Sequence, residues 1–281
     1  MKELKTNRIF AATALILAVF LLLPLMPAAS ARNEVRTNVL VYMVASDLES
    51  RNEAATRDLT EMLSAAKSFG DETNLIVYAG GAKQWHNDIF SSKENRCVKI
   101  DKSGATLLYA DGRRDMTNPL TLAGFIKYCG RHYPADRNIL ILWDHGGGVY
   151  GFGADELNEY NKPMSPLDMI AALDWGGMNF DIIGFDACSM ASFEVAYSIC
   201  DYGRYMVASE EMELLGGWNY EEWLSRLAKE PELDSFEIAE SIVDSYMEWC
   251  QDKAPGIKST MSVIDLRLCM KVAPALSSFS R

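Results

Sequence analysis

A histidine and a cysteine each follow directly on a short apolar run in this 281-residue chain. His145 comes after ILILWD and precedes three glycines, and Cys188 comes after FDIIGFDA. A thiol becomes a good nucleophile when it is partly ionised, and a neighbouring imidazole can take its proton and stabilise the thiolate. If the two runs are adjacent parallel strands, both side chains reach the same edge of a sheet. The sequence therefore predicts thiolate catalysis at that edge, the alternative being that the cysteine is only a buried residue.

The residues around this pair indicate how a carbonyl substrate would be held. The glycines that begin with Gly146 allow backbone N–H groups to form an oxyanion hole. The same His-Gly-Gly-Gly pattern occurs in lipase-type hydrolases, but those need a later G-x-S-x-G, which this chain lacks. Cys188 is expected to open a helix over residues 191–202, whose N-terminus would favour the thiolate. Asp186 either caps that helix or forms the floor of a pocket for a positively charged side chain.

Strand and helix patterns alternate along the chain, which predicts an α/β fold: a mostly parallel central sheet sandwiched by helices. An early buried strand ends in Ser46-Asp47, and residues 83–115 are predicted to form a small hairpin excursion outside the main sheet. Asn118 and Ser165 are expected to cap helices. The predicted strands are 38–45, 74–79, 138–143, 180–185, 205–208 and 258–266, and the predicted helices are 51–69, 119–132, 166–173, 191–202, 220–228 and 235–251.

The N-terminus and the composition define the protein class. Residues 1–31 are predicted to be a signal peptide, because three basic residues are followed by an apolar stretch and by a run of small residues that ends at Ala31. The alternative is an uncleaved membrane anchor, which is disfavoured because the apolar stretch is shorter than the ~20 residues that a bilayer span needs. Without residues 1–31 the net charge changes from −12 to −14, because three basic residues and one acidic residue are lost. Such acidity argues against nucleic-acid binding and favours cationic substrates. The six cysteines are expected to be mainly buried apolar residues, and no metal site is predicted.

Four segments taken together resemble the clostripain family of cysteine peptidases, the C11 group, whose fold is caspase-like. They are VYMVASDLE, ILILWDHGGG, FDIIGFDACSM and YMVASEE followed by GGWNYE. The resemblance covers nearly all of residues 32–281, which are expected to form one peptidase domain. Relatives tend to continue beyond the position of Arg281, so this domain is expected to be minimal or C-terminally incomplete.

The resemblance implies an endopeptidase that hydrolyses bonds after Arg or Lys through a thioester. His145 is the implied general base and acid, Cys188 the nucleophile, Gly146 and Cys188 the oxyanion-hole donors, and Asp186 the floor of the specificity pocket. Self-cleavage is implied after Lys162, the only basic residue between His145 and Cys188, although Pro163 makes this a poor site.

Together with the signal-peptide pattern, the resemblance predicts a bacterial protein that is secreted, periplasmic or at the cell surface. We expect a monomer with peptide substrates, no nucleic-acid partner and no membrane anchor after signal cleavage. The chemistry needs no cofactor, whereas Ca²⁺ dependence stays open because some members of the family show it. Asp155, Glu156 and Glu159 offer ligands for a cation, but a solvated acidic loop is the favoured interpretation. A non-catalytic or unactivated binding protein of the same fold is the alternative function.

Overall fold

The computed structural model describes residues 36–158 and 162–279, and the predicted signal peptide lies outside them. The strands of this region form one sheet in the order β4-β3-β2-β1-β5-β6-β7-β8. The five central strands, β2, β1, β5, β6 and β7, are parallel, whereas β2–β3, β3–β4 and β7–β8 are antiparallel pairs. The strands are β1 (Thr37–Val44), β2 (Thr73–Gly80), β3 (Arg96–Asp101), β4 (Gly104–Ala110), β5 (Arg137–Trp143), β6 (Phe180–Asp186), β7 (Gly203–Ala208) and β8 (Ser262–Asp265).

Helices cover both faces of this sheet. The helices are α1 (Ser46–Asn52), α2 (Ala54–Ala65), α3 (Pro119–His132), α4 (Pro166–Gly176), α5 (Phe193–Ile199), α6 (Tyr220–Lys229), α7 (Ser235–Lys253) and α8 (Cys269–Phe279). One apolar cluster joins the sheet to α2, α6 and α7, and a second joins it to α3, α4 and α5. The predicted fold class, a mostly parallel sheet between helical layers, is confirmed.

Strand β1 is buried along its whole length because it is central and covered on both faces. Val39, Val41 and Met43 belong to the cluster on one face, whereas Leu40 and Tyr42 belong to the cluster on the other. Each such side chain stabilises the fold by about 1.5–3 kcal/mol through burial. A continuous apolar run, rather than an alternating one, is what a strand in this position requires.

Local capping signals were reliable guides to where helices begin. The Asn118 side chain accepts a hydrogen bond from the Leu120 N–H at the start of α3, and Ser165 forms a reciprocal capping box with Asp168 at the start of α4. Both predicted caps are confirmed.

Three expectations about the elements were wrong. The hairpin of β3 and β4 extends the main sheet instead of lying outside it, because β3 pairs with β2. The helix expected over 51–69 begins later, at Ala54, because Glu53 has φ 57° and separates α2 from the preceding helix α1. The helix expected over 191–202 begins at Phe193 and ends at Ile199, so residues 189–192 separate it from Cys188.

The cysteines are free thiols, and Cys97, Cys129, Cys250 and Cys269 are buried, as expected for small apolar residues. Burial raises the pKa of the Cys97 thiol to about 12, so this side chain stays neutral. Within the described ranges, none of the helices has the length and apolar character needed to cross a bilayer.

Candidate active site

The ends of two neighbouring strands bring the predicted histidine and cysteine to one cavity. β5 and β6 are in register with Trp143 opposite Asp186, and the Asp144 N–H donates to the Asp186 carbonyl oxygen at 3.2 Å. His145 and Cys188 follow these positions, and both line a cavity of about 250 Å³. An imidazole and a thiol on the wall of one cavity can carry out nucleophilic attack and proton transfer at a carbonyl group.

Gly146 lies directly against the backbone of the cysteine. A Cβ atom at Gly146 would overlap the carbonyl oxygen of Cys188 and would lie 2.9 Å from Cγ of Met190. Gly146 pairs with Phe152 in a short antiparallel hairpin. In this hairpin the Gly147 N–H donates to the Gly151 carbonyl oxygen, and the Gly153 N–H donates to the His145 carbonyl oxygen. Among the described residues, the Gly146 N–H has no backbone acceptor, and it is therefore available to bind a negatively charged oxygen beside the cysteine.

Asp47 is the partner of the histidine. His145 Nε2 lies 2.9 Å from Asp47 Oδ1, and Arg51 Nη1 lies 3.2 Å from Asp47 Oδ2. The hydrogen bond with His145 is the main reason that the pKa of Asp47 lies below its usual range. Because a carboxylate only accepts, Nε2 carries the proton, and Nδ1 is left with a lone pair in the neutral ring.

Sequence reasoning assigned no role to Asp47. The signal was nevertheless present, since the first buried strand ends in Ser46-Asp47. What was missing was the pairing of β1 with β5, which places Asp47 beside the histidine that follows β5.

Asp144 anchors the backbone on both sides of the histidine. Its buried carboxylate accepts a hydrogen bond from the Ser46 hydroxyl at 2.7 Å and another from the Ala154 N–H. Burial raises the pKa of Asp144 to about 7. The Asp144 side chain therefore connects the residues that follow β1 and β5 to Ala154, which lies just after the hairpin of Gly146 and Phe152.

Cys188 sits in a tight turn and not at a helix end. Its Sγ accepts a hydrogen bond from the Glu213 N–H at 3.3 Å, and the next residue, Ser189, has φ 59°. α5 begins at Phe193 and is capped by Ser192, whose side chain accepts the Val195 N–H. The expectation that the dipole of this helix acts on Cys188 was wrong, because four residues of turn separate them.

Asp186 is buried and lines the same cavity. Its Oδ2 accepts hydrogen bonds from the Tyr220 hydroxyl at 2.9 Å and from the Trp218 N–H at 3.4 Å. It does not cap α5, so of the two sequence interpretations the capping one was wrong. Burial raises the pKa of Asp186 to about 6.

A second carboxylate lies behind Asp186. Asp58 accepts a hydrogen bond from Trp143 Nε1 at 2.6 Å, and its pKa is raised well above the usual range by burial and then by the charge of Asp186. Closely spaced buried carboxylates disfavour each other's charged form. A cation entering from the cavity would relieve that repulsion.

Lys162 is exposed and precedes the Ser165 cap of α4 by three residues. It is not among the cavity-lining residues, and its charge contributes to lowering the pKa of Asp168. Self-cleavage after Lys162 stays a prediction.

The acidic loop after the histidine anchors backbone instead of being solvated. Asp155 is buried and accepts the Met116 N–H at 2.8 Å, and Glu156 accepts the Ser50 hydroxyl at 2.6 Å. The solvated interpretation was therefore wrong for Asp155, while Glu159 lies outside the described residues. In the ranges that the structure covers, no group of three or more His, Cys, Asp or Glu side chains is arranged to hold a metal ion.

The clostripain family profile matches residues 41–281. The chain belongs to the clostripain family. Clostripain from Hathewaya histolytica is 27% identical over 198 residues, which are 60% of this chain and 37% of that protein. The chain thus spans little more than a third of the length of this curated relative.

Solved structures of clostripain-family, C11, proteases share the fold. A secreted C11 cysteine protease from Bacteroides thetaiotaomicron, in complex with an irreversible peptide inhibitor, superposes with a TM-score of 0.71 at 24% identity, covering 86% of this chain and 69% of that one. An inactive zymogen C11 protease from Parabacteroides distasonis gives 0.68 at 21% identity, covering 87% and 66%. At these identities the likeness establishes the caspase-like architecture.

Proposed function

We propose that this protein is a cysteine endopeptidase that cleaves on the carboxyl side of Arg or Lys. The observation that carries the proposal is the shared cavity of His145, Cys188 and Asp186. The hydrogen bond from His145 to Asp47 and membership of the clostripain family support the same conclusion. No cofactor takes part in this chemistry.

The thiol and the imidazole carry the bond-making steps. Cys188 Sγ attacks the peptide carbonyl carbon while Nδ1 of His145 takes the thiol proton. The C–N bond then breaks, His145 returns the proton to the leaving amine, and a thioester remains on Cys188. His145 next takes a proton from water, the hydroxide attacks the thioester, the C–S bond breaks and the thiol regains its proton. The N–H groups of Gly146 and Cys188 hold the negative charge on the carbonyl oxygen.

Asp186 selects the residue before the cleaved bond. Its carboxylate is held by Tyr220 and Trp218 at the cavity lined by Cys188. The apolar lining around it, including Leu48 and Leu214, suits the methylene stem of a long basic side chain. Trypsin-like selection by a buried carboxylate follows, with a charge-assisted hydrogen bond to the substrate cation.

The protein acts outside the cytoplasm and is controlled by self-cleavage. The signal-peptide pattern of residues 1–31 supports export, as does the secreted structural relative. Exposed Lys162 supports cleavage in the loop between histidine and cysteine, whereas Pro163 slows it. The substrates are peptides or proteins with accessible Arg or Lys, and the protein acts as a monomer.

A second candidate function is an unactivated or non-catalytic binding protein. The Lys162-Pro163 pair favours it, because a poor cleavage site would leave the protein in its precursor form. The inactive zymogen among the structural relatives shows that such a state occurs in a protein of this fold.

Turnover and labelling separate the two functions. The mature chain, starting at residue 32, is incubated with fluorogenic peptides that end in Arg, Lys or Ala, beside the Cys188→Ala variant. The peptidase hypothesis predicts release from the Arg and Lys peptides by the native chain alone. Equal rates for the two proteins contradict it, and failure of an Arg-bearing electrophile to label Cys188 in folded protein supports the binding protein.

A further inference from the structure

The carboxylate of Glu213 is buried in the cavity wall without a regular hydrogen-bond partner. Neither Oε1 nor Oε2 accepts a hydrogen bond from the residues that the structure describes, although both atoms are buried. The Glu213 N–H contacts Cys188 Sγ, and its side chain lines the same cavity as Asp186. Burying an unpaired carboxylate is costly, so such a group is either neutral or kept for a ligand.

The two cavity carboxylates differ in how they are held. Asp186 is fixed by two protein donors, Tyr220 and Trp218, whereas the Glu213 carboxyl group lies beside the Asp186 carboxylate and the Ala187 backbone with no contact of regular hydrogen-bond geometry among the described residues. Burial, followed by the charge of Asp186, raises the pKa of Glu213 well above its usual range. Glu213 therefore carries a proton in the empty pocket, and Asp186 provides the charge.

The surroundings of this pair are anionic or neutral. The carboxyl groups of Asp58 and Glu61 on α2 lie near Asp186, and burial raises the pKa of both, while Tyr246 on α7 faces Glu213. Asp144, His145 and Cys188 are the other titratable groups on the cavity wall, and the described residues that line it include no lysine or arginine. On the rim, the guanidinium of Arg57 donates to the Leu215 carbonyl oxygen at 3.1 Å.

We propose that Glu213 is a second specificity-determining carboxylate of this pocket, and that it gives up a proton to solvent when a cationic side chain enters. The exchange balances: the neutral carboxyl group loses H⁺ to water, and the resulting carboxylate pairs with the incoming cation. The O–H bond of the Glu213 carboxyl group is the only bond that breaks, and its electron pair stays on the carboxylate. This role rests on the proposed cleavage after basic residues.

The geometry favours arginine over lysine. Asp186 and Glu213 present two adjacent carboxyl groups to a ligand that enters the cavity. A planar guanidinium offers five N–H donors in a rigid fork and can engage both groups, whereas an ammonium is a compact point charge with three donors. Glu213 thus adds a partner that arginine uses more fully than lysine.

Calorimetry of a non-cleaving protein tests the proton release. The Cys188→Ala chain is titrated at neutral pH with an n-alkylguanidine, in buffers that differ in ionisation enthalpy. We expect about one proton released per ligand bound. With Glu213→Gln added, we expect the proton release to disappear and the affinity for the alkylguanidine to fall by up to about 10-fold. The exposed control Glu211→Gln should change neither the proton release nor the affinity.

A second variant protects the test against misfolding. Glu213→Asp keeps a titratable carboxyl group and should keep the proton release, and thermal melts show whether each variant is folded. Binding without proton release, or release that survives in folded Glu213→Gln, overturns the role of Glu213, as does a failure of the alkylguanidine to bind.

Turnover by the native chain separates this role from the proposed function. We expect the ratio of kcat/KM for Arg over Lys peptides to fall in Glu213→Gln relative to the native chain. Cleavage of basic peptides with an unchanged ratio overturns only the role of Glu213, whereas a native chain that cleaves no basic peptide overturns the proposed function itself.

Discussion

The Nε2 atom of His145 lies 2.9 Å from Oδ1 of Asp47, two residues that are 98 positions apart in the chain. The contact forms because β1 and β5 are parallel neighbours, so that the residues after both strands reach the same edge of the sheet. It orients the imidazole and leaves Nδ1 as the nitrogen that can accept a proton. A histidine and cysteine pair thereby acquires a third member.

Asp47 is expected to act on turnover through the histidine. Asp47→Asn should lower kcat about 10- to 100-fold, because the ring loses the carboxylate that orients it, and should leave KM nearly unchanged. Arg51→Gln is the matched control, since it removes only the exposed ion pair with Asp47 and should change kcat by about 2-fold or less. A kcat that is equally reduced in both variants would contradict the positioning role.

Gly146 should tolerate no side chain. In Gly146→Ala the new Cβ would overlap the Cys188 carbonyl oxygen, so the turn carrying the thiol must move, and we expect activity to fall about 100-fold. Gly147→Ala is the control, because its Cβ would be 3.5 Å from Tyr150 Cβ, an ordinary contact. Peptide hydrolysis and thermal melts of both variants test this. Equal activities would show that the turn adjusts freely.

Asp186 should matter for binding and little for folding. Asp186→Asn keeps an acceptor for the Tyr220 hydroxyl but removes the charge, so kcat/KM for Arg and Lys peptides should fall about 100-fold. Stability at neutral pH should be retained or increased, because burial raises the pKa of the native carboxyl to about 6 and its charged form is unfavourable there. Urea unfolding measures this, and a strongly destabilised variant would show a structural role.

Stability should fall between about pH 4 and pH 7 because of Asp144. Its pKa is about 7 in the folded protein, against about 3.9 in the unfolded chain, so the folded state binds more protons across this interval. Stability is therefore highest below the unfolded pKa, is lost as the pH rises, and levels off above the folded pKa. The full effect is up to about 4 kcal/mol.

Asp144→Asn removes that titration. The urea midpoint of the variant should change less between pH 4 and pH 8 than that of the native chain, whereas the exposed control Asp201→Asn should follow the native curve. Parallel curves for native protein and Asp144→Asn would contradict the assignment of this titration to Asp144.

Maturation should depend on the residue after Lys162. Pro163→Ala should increase self-cleavage after Lys162, because a proline there opposes hydrolysis of the preceding bond. Mass spectrometry of purified protein follows the cut, and Pro163→Ala combined with Cys188→Ala is the control. A cut that persists in the double variant would indicate another protease.

Much of the fold could be predicted from local patterns. The apolar runs of β1, β5 and β6 are long and continuous because these strands are buried on both faces, and that signal survives without tertiary information. Ser165 and Asn118 were found for a similar reason, since a cap interacts with residues two or three positions away. The predicted start of α5, residue 191, is two residues too early, because the Ser192 side chain caps the helix.

Part of the candidate site was also local. His145 and Cys188 could be selected because each follows a strand and sits among small residues that the chemistry requires. Asp155 was assigned to a solvated loop because its partner, the Met116 N–H, is 39 positions away in sequence. A carboxylate that accepts a distant backbone N–H has the same sequence signature as one that faces water.

The sequence by itself determined the chemical groups and the edge of the sheet to which they are brought, because strand periodicity and turn residues depend on neighbours along the chain. Only the tertiary structure decided which carboxylates serve the site. Asp47 meets His145 through the pairing of β1 with β5, and Glu213 reaches Asp186 by the return of the chain after β7. The burial and charge that distinguish these carboxylates arise from residues distant in sequence, and no local pattern records such contacts.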